Sequence, residues 1–286
     1  MRYVVALGGN AIGSELSSAA ANFITGLYRK GHEIIITHGN GPQVGMLAEV
    51  EDKPLSILTA QTQAEIGTII QAGLLQSMKS KKLEHNMPII ITRCVVGNAS
   101  SEMHNPSKPV GRFLTKRQAE SLTRKGMAVK LLIGGYRRVV PSPMPTDVLE
   151  MDTINYVLRK SRIVIAGGGG GVAVVVSKRG IQYADAVIDK DYASSLIARR
   201  TGADALIILT KTNGVYTGFG TPAQKLIKRA TVREMKRLAD IGEFEDGSML
   251  PKVRACIDFV SKARKKASIG NINSAGSSMR GTDIVP

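Results

Sequence analysis

Two short stretches of glycine and asparagine, each after an apolar run, are well suited to hold an anionic ligand. Gly8-Gly9-Asn10 follows the run 3–7, and His38-Gly39-Asn40-Gly41 follows the β-branched run 34–37. Glycines let the backbone approach a ligand closely because they have no Cβ atom. A helix that begins after such a loop points free N–H groups at an anion. The pair predicts adjacent parallel strands whose loops meet over one phosphate-like group; the alternative is two tight strand-to-helix turns.

Three lysines stand where they could neutralise a migrating phosphoryl group. Lys190 lies between Asp189 and Asp191 at a predicted helix start, Lys252 lies in the first turn of another helix, and Lys108 is flanked closely by prolines. Phosphoryl transfer needs aligned reactants and surrounding cations more than covalent help. The alternatives are a capped surface turn around Lys190 and a plain surface lysine at position 252.

Other nucleotide and metal motifs are missing from the sequence. It has no Walker A segment and no protein-kinase glycine loop followed by V-A-I-K. The four histidines have no metal-ligand spacing, and Cys94 and Cys256 form no disulfide framework. We expect His38 to be packed or hydrogen-bonded, and we expect no protein-held metal.

Composition indicates an ordinary globular chain. The 286 residues are 43% hydrophobic, and no apolar run approaches the ~20 residues needed to span a bilayer. The first residues, MRYVVALGG, enter a strand directly, so we expect no signal peptide, no membrane contact and a reducing cytoplasm.

The formal charge of +16 raises the question of nucleic-acid binding. It comes from 39 Lys and Arg against 23 acidic residues, but only 4% of residues are aromatic and the basic residues are scattered. We therefore interpret most of the excess as solvated surface, with part of it gathered around anionic substrates. No specific nucleic-acid partner is expected.

Strand-like runs alternate with helical patterns along most of the chain. Helices are predicted at 15–30 and 57–78, a buried strand at 88–96, and a last strand at 267–270. This alternation is typical of a mainly parallel sheet covered on both faces.

Two stretches break the pattern. Residues 97–145 are rich in proline and polar residues, contain a polar helix at about 115–125, and have few apolar residues to anchor them. We interpret them as a small projecting lid. The five consecutive glycines 167–171 predict a loop with very close backbone approach; the alternative is a flexible linker.

In chain order, these motifs resemble those of the carbamate kinases in the amino acid kinase superfamily. The similarity rests on VVALGGNAI, HGNGPQVG, NPSKPVG, RRVVPSPMP, AGGGGGV, AVIDKDYAS, ADALIILT and GSMLPK. It implies an α/β fold: a three-layer α/β/α sandwich around a mainly parallel open sheet. Residues 1–160 would form the lobe for carbamate or carbamoyl phosphate, including the lid at about 97–145. Residues 161–286 would form the nucleotide-binding lobe.

The resemblance also implies an activity. The reaction would be ATP + carbamate = ADP + carbamoyl phosphate, run toward ATP synthesis within arginine metabolism. Mg²⁺ would be held mainly by the nucleotide phosphates, and the protein would be a homodimer. Two alternatives stay open: a related kinase for another small carboxylate or phosphate acceptor, and a non-catalytic nucleotide-binding module.

Roles can be carried over only onto residues that match the motifs. The resemblance implies that catalysis involves Lys108, Lys190, Asp191 and Lys252. It implies that the phosphoryl group is cradled by Gly8, Gly9, Asn10, Gly39, Asn40 and Gly41. It implies that the nucleotide is bordered by Asp189, Thr210, Lys211, Tyr216, Gly247 and Met249.

Overall fold

A largely parallel sheet forms the centre of the molecule. The computed structural model describes residues 1–8, 11–83, 86–98, 100–132, 134–271, 279 and 281–286. Within them, the largest sheet has seven strands in the order β14-β16-β15-β11-β1-β2-β8. These strands are β1 (Arg2–Leu7), β2 (Glu33–His38), β8 (Ile163–Ile165), β11 (Ala205–Thr210), β14 (Arg229–Thr231), β15 (Lys266–Asn271) and β16 (Gly281–Val285).

The strands that carry the glycine loops are neighbours, as predicted. β1 pairs in parallel with β2 on one side and with β11 on the other, and Leu7 lies opposite His38 in the first pair. The carboxyl ends of β1, β2 and β11 therefore meet at one edge of the sheet. In open α/β sheets, this edge is where ligands bind.

The expectation that 267–270 is the last strand is wrong. β16 follows it and pairs antiparallel with β15. β16 is short, and its only strongly apolar residues, Ile284 and Val285, are adjacent at its end, so its hydrophobic pattern is weak. Its inward-facing residues, Thr282 and Ile284, are nevertheless fully buried.

Helices cover both faces of the sheet, which confirms the three-layer α/β/α architecture. Alternate strand residues enter opposite apolar cores: Val4 and Ile35 pack on one face, whereas Val5 and Ile34 pack on the other. The helices are α1 (Ser18–Arg29), α2 (Gly41–Val50), α3 (Leu55–Lys79), α4 (Ser101–His104), α5 (Lys116–Arg124), α6 (Met151–Ser161), α7 (Lys190–Arg200), α8 (Val232–Asp240) and α9 (Met249–Ala263). In the described part of the chain, no helix has the length and apolar character needed to cross a membrane.

The predicted strand at 88–96 is shared between two sheets. Ile89 makes a single bridge to Ile165, the last residue of β8, whereas the strand proper, β3 (Arg93–Val96), belongs to a four-stranded sheet. That sheet has the order β10-β9-β3-β7, with β7 (Pro145–Val148), β9 (Val172–Ser177) and β10 (Gly180–Val187). Gln63 of α3 marks the change of sheet, since its Oε1 accepts from the backbone N–H of Thr92 at 2.9 Å. Periodicity could not show this division because apolar residues stand on both sides of Thr92 and Arg93, as they would in one continuous buried strand.

Within residues 97–145, predicted to form a small projecting unit, three strands form an antiparallel sheet of their own. Its order is β4-β6-β5, formed by β4 (Lys108–Leu114), β5 (Val129–Leu132) and β6 (Gly135–Val140). A small number of apolar residues anchor the base of this unit: Val110 and Val140 join an apolar cluster with Val44 of α2. Backbones meet there too: a Cβ atom on Gly45 would lie 2.2 Å from the backbone nitrogen of Gly111. A last pair of strands, β12 (Val215–Thr217) and β13 (Lys225–Ile227), forms a hairpin.

Candidate functional site

Gly8 and Gly39, one from each glycine loop, lie side by side at the carboxyl edge of the sheet. The Gly8 N–H donates to the Leu209 carbonyl at 3.3 Å, and the Gly39 N–H donates to the Leu7 carbonyl at 3.2 Å. The loops after β1 and β2 and the end of β11 are thus joined through the backbone. Gly9 and Asn10, which were predicted to bind the phosphoryl group, lie outside the described residues.

Asn40 is turned into the protein. Its side chain is buried, and its Nδ2 donates to Thr62 Oγ1 of α3 at 2.9 Å. Gly41 begins α2, with Pro42 in the first turn, and a Cβ atom on Gly41 would meet nothing within 4 Å. The amide of Asn40 therefore fixes the loop to α3, while the start of α2 stays open.

The run 167–171 supports this loop from behind. Gly168–Gly170 forms a short 3₁₀ turn. A Cβ atom on Gly168 would lie 2.4 Å from His38 Nε2, and one on Gly169 would lie 2.2 Å from Asn40 Nδ2. The predicted close approach is confirmed, and the group that comes close is the chain's own loop.

His38 is a buried, hydrogen-bonded residue, as predicted. Its ring Nδ1 donates to the Gly39 carbonyl at 3.1 Å, and the side chain is almost fully buried. Burial lowers the pKa of His38 to about 4, and the nearby charge of Lys190 acts in the same direction. His38 is thus neutral at pH 7 and serves the shape of the loop.

Asp191 gathers two of the three predicted lysines. Lys190 Nζ pairs with its Oδ1, and Lys252 Nζ of α9 lies 3.3 Å from its Oδ2. The aspartate is only 2% exposed. The stem of Lys190 runs along Gly39, where a Cβ atom would lie 3.3 Å from Lys190 Cδ. Two cations are therefore fixed directly beside the second glycine loop.

Asp189 holds the third lysine. Lys108 Nζ of the projecting unit donates to Asp189 Oδ2 at 2.8 Å, and Asp189 Oδ1 accepts from the Asp191 N–H at 2.9 Å as the N-cap of α7. Burial opposes ionisation of this carboxyl, but the ammonium groups of Lys108 and Lys190 hold the pKa of Asp189 well below its usual range. The alternative of an isolated capped surface turn therefore does not describe this segment.

The residues predicted to border the nucleotide fall into two groups. Gly247, at φ +76°, and Met249 flank Ser248, whose carbonyl accepts from Lys252 Nζ at 2.9 Å. This loop therefore contacts the lysine cluster directly.

The second group lies further along the edge. Thr210 ends β11 opposite Asn271. The Lys211 carbonyl accepts from Asn271 Nδ2 at 2.9 Å, and the ring of Tyr216 packs on Phe219 with centroids 5.9 Å apart. The contacts just described involve Asn271 and Phe219, and none of them involves Lys108, Lys190 or Lys252.

Several supporting residues were not predicted. Thr62 and Gln63 lie on the buried polar side of α3, where Thr62 holds Asn40 and Gln63 holds Thr92. Polar residues within an amphipathic helix are a weak sequence signal for such a role, because the sequence does not show that this polar side of the helix is buried.

Comparison with known proteins gives a consistent family. The pattern of the amino acid kinase family matches residues 1–271. The chain is 39% identical over 304 residues to Carbamate kinase 1 of Enterococcus faecium, covering 99% of this chain and 97% of that one.

Two solved structures are similar throughout. A protein of Aeropyrum pernix K1 has a TM-score of 0.91 and 38% identity, covering 100% of this chain and 99% of that chain. The carbamate kinase of Giardia lamblia bound to AMP-PNP has a TM-score of 0.87 and 31% identity, with coverage of 99% and 98%. Sequence and structure agree: this chain belongs to the amino acid kinase family.

Proposed function

We propose that this protein is a carbamate kinase, which transfers a phosphoryl group reversibly between ATP and carbamate. The observation that carries the proposal is the convergence of Lys108, Lys190 and Lys252 on Asp189 and Asp191 beside the second glycine loop. Similarity over nearly the whole chain to proteins named carbamate kinase supports it.

The chemistry suits an electrostatic site. A carbamate oxygen attacks the γ-phosphorus, the bond from that phosphorus to the bridging oxygen breaks, and ADP leaves with the electron pair. Carbamate is already an anion, so the attack requires no base. This fits a site in which His38 is buried and hydrogen-bonded to Gly39. Fixed cations around the migrating group are the main contribution of the protein to such a reaction.

Each part of the site has a role in this proposal. The glycine loops, including Gly39, Asn40 and Gly41, cradle the transferring group. Lys108 reaches the carbamoyl end from the projecting unit. Lys190 and Lys252 neutralise phosphate oxygens, and Asp191 organises them. Residues 1–160 bind the carbamoyl substrate.

The nucleotide is assigned to residues 161–286. It would lie along the carboxyl edge of the sheet beyond the lysines, bordered by Asp189, Thr210, Lys211, Tyr216, Gly247 and Met249. Support for a nucleotide comes from the Giardia lamblia structure, which is described as bound to AMP-PNP.

Mg²⁺ would accompany the nucleotide. In the described residues, no three histidine, cysteine or acidic side chains form a cluster that could hold a metal. Mg²⁺ usually keeps several waters and is bound by substrate phosphates together with only one or two carboxylates. Because Asp189 and Asp191 are engaged by lysines, they fit as organisers of cations, and the phosphate oxygens would hold the ion.

The test measures the formation of ATP from ADP and carbamoyl phosphate, with luciferase luminescence as the readout. We expect ATP formation from carbamoyl phosphate and ADP, and no consumption of ATP when acetylglutamate, UMP or isopentenyl phosphate is offered as the acceptor. Faster turnover of one of those three compounds would identify it, instead of carbamate, as the phosphoryl acceptor. Binding of ADP without any turnover would instead identify a nucleotide-binding module. Light scattering on the same sample tests the proposed homodimer, and comparison of both reaction directions tests the proposed preference for ATP synthesis.

A further inference from the structure

A buried chain of hydrogen bonds lies directly behind Lys190. Thr37 Oγ1 of β2 and Ser194 Oγ of α7 are 2.6 Å apart, and Ser194 Oγ donates to the Lys190 carbonyl at 2.6 Å. Both Thr37 and Ser194 are 0% exposed. The chain thus joins the strand that carries the second glycine loop to the first turn of the helix that carries the lysine.

The direction of these bonds follows from the available protons. A carbonyl oxygen only accepts, so the single hydroxyl proton of Ser194 is used on Lys190. Thr37 must then supply the proton between the two hydroxyls. Ser194 accepts from the strand and donates to the helix backbone, so it is an obligatory link.

This link has a defined place relative to the phosphoryl site. Thr37 lies two residues before Gly39, and Gly39 contacts the stem of Lys190. The glycine run leaves room for the link: a Cβ atom on Gly167 would lie 3.3 Å from Thr37 Cγ2 and 2.6 Å from Ile197 Cδ1. The strand and the helix therefore approach closely where the loop and the lysine must be aligned.

We propose that Thr37 and Ser194 are positioning residues that fix Lys190 against the second glycine loop. Asp191 fixes the ammonium end of Lys190, and the hydroxyl pair fixes its backbone. The ammonium of such a lysine must align with the charge that develops during phosphoryl transfer, so both its backbone and its ammonium end need to be held. Small displacements weaken contacts in the transition state more than binding in the ground state. This role rests on the proposed phosphoryl transfer.

The experiment compares Thr37→Val, Thr37→Ser and Ser194→Ala with a matched control elsewhere in the chain. Thr25 offers that control: it is fully buried, and its Oγ1 donates to Ser77 Oγ at 3.1 Å between α1 and α3, in the other apolar core. Thr25→Val therefore removes the same kind of bond without touching α7. The measurements are kcat, the KM for ADP and the melting temperature.

We expect Thr37→Val to lower kcat by about 10-fold or more while the KM for ADP changes little. Thr37→Ser should restore most of kcat because it keeps the donor. Ser194→Ala should lower kcat at least as far, because it leaves the Thr37 hydroxyl proton without its acceptor. Thr25→Val should lower the melting temperature about as much as Thr37→Val does, but its kcat should stay at the wild-type value. A kcat near wild type in Thr37→Val, or an equal loss in Thr25→Val, would overturn the proposal.

A second measurement separates this inference from the proposed function. The protein is treated with acetic anhydride, and the rate at which Lys190 becomes acetylated is measured by mass spectrometry of the digested protein. The lysine is held by Asp191, with its side chain only 12% exposed. Faster acetylation in Thr37→Val than in Thr25→Val supports positioning even if wild-type protein makes no ATP, in which case only the proposed function fails. Equal rates in the two variants and the wild type would overturn the positioning role.

Discussion

Lys190 and Lys252 share one carboxylate, since Lys190 Nζ contacts Asp191 Oδ1 while Lys252 Nζ lies 3.3 Å from Oδ2. The two lysines belong to different helices, α7 and α9. Their side chains are 12% and 17% exposed, and that of Asp191 is 3% exposed. One buried anion between two cations leaves a net positive charge, which suits the binding of phosphate oxygens.

Asp191→Asn should damage both stability and activity. It leaves two largely buried ammonium groups without their carboxylate, and breaking a buried pair in this way costs about 3 kcal/mol of unfolding free energy. We expect kcat to fall by roughly 10²-fold, because the lysines lose their fixed geometry. Urea unfolding and the ATP-forming assay measure the two effects.

Asp283→Asn is the matched control for this change. Asp283 accepts from Ser268 Oγ at 2.6 Å and pairs with Lys266 at 3.1 Å on strands β15 and β16. We expect its kcat to stay near the wild-type value. An Asp191→Asn enzyme that is as active as Asp283→Asn would show that the shared carboxylate has no part in catalysis.

Lys190→Ala should lower kcat and kcat/KM together. A cation that acts mainly on the transition state contributes roughly 10²–10³ in rate, and its loss changes substrate binding less. Initial rates over a matrix of ADP and carbamoyl phosphate concentrations provide both constants. If only KM rose, Lys190 would be a ground-state binding residue. Lys266→Ala, an exposed ion-paired lysine on β15, serves as the control.

Lys108→Ala should weaken the carbamoyl substrate and spare ADP. Lys108 is the contribution of the projecting unit to the cluster, through its 2.8 Å contact with Asp189. Arg112→Ala is a control on the same strand, because Arg112 pairs with Glu49 at 3.0 Å away from the lysines. We expect a raised KM for carbamoyl phosphate only in Lys108→Ala, with unchanged ADP binding by calorimetry. Loss of ADP affinity instead would place Lys108 at the nucleotide.

The strand, loop and helix around the second glycine loop could be predicted from the sequence because their signals are local, whereas β16, with its weak hydrophobic pattern, was missed. The β-branched run before His38, the turn residues and the first-turn Pro42 together specify a strand, a loop and a helix. Asp189 and Asp191 were likewise found from a lysine flanked by carboxylates at a helix start. Such features depend on residues a few positions apart.

The contacts that complete the site could not be predicted in this way. Lys108 and Asp189 are 81 residues apart, and Thr37 and Ser194 are 157 residues apart. The packing of Gly168 on His38 depends on how β8 lies beside β2. Periodicity and turn chemistry do not determine these distances, because they result from the packing of whole elements.

The stability of the protein should fall between pH 6.5 and pH 4 through His38. Burial lowers the folded-state pKa of His38 to about 4 from 6.5, so the unfolded chain binds the proton first as the pH falls. The stabilisation is complete above pH 6.5 and is lost as the pH drops toward 4, with a total of about 3 kcal/mol.

Urea unfolding at several pH values, compared between wild type and His38→Gln, measures this contribution. Glutamine is neutral throughout, so the wild type should lose about 3 kcal/mol of unfolding free energy relative to His38→Gln between pH 7 and pH 4. A His38→Gln curve parallel to the wild type would mean that His38 does not titrate as described.

Gly41→Val should abolish activity without unfolding the protein. A Cβ atom on Gly41 would meet no protein atom within 4 Å, so the fold has room for the side chain, and only a ligand at the start of α2 would collide with it. Gly168→Ala should behave in the opposite way, because its Cβ atom would lie 2.4 Å from His38 Nε2 in a packed interior. That overpacking should cost about 1–3 kcal/mol of unfolding free energy. Melting temperature and ATP formation, measured on both variants, separate a ligand cradle from a packing contact. An active Gly41→Val enzyme would remove this loop from the phosphoryl site.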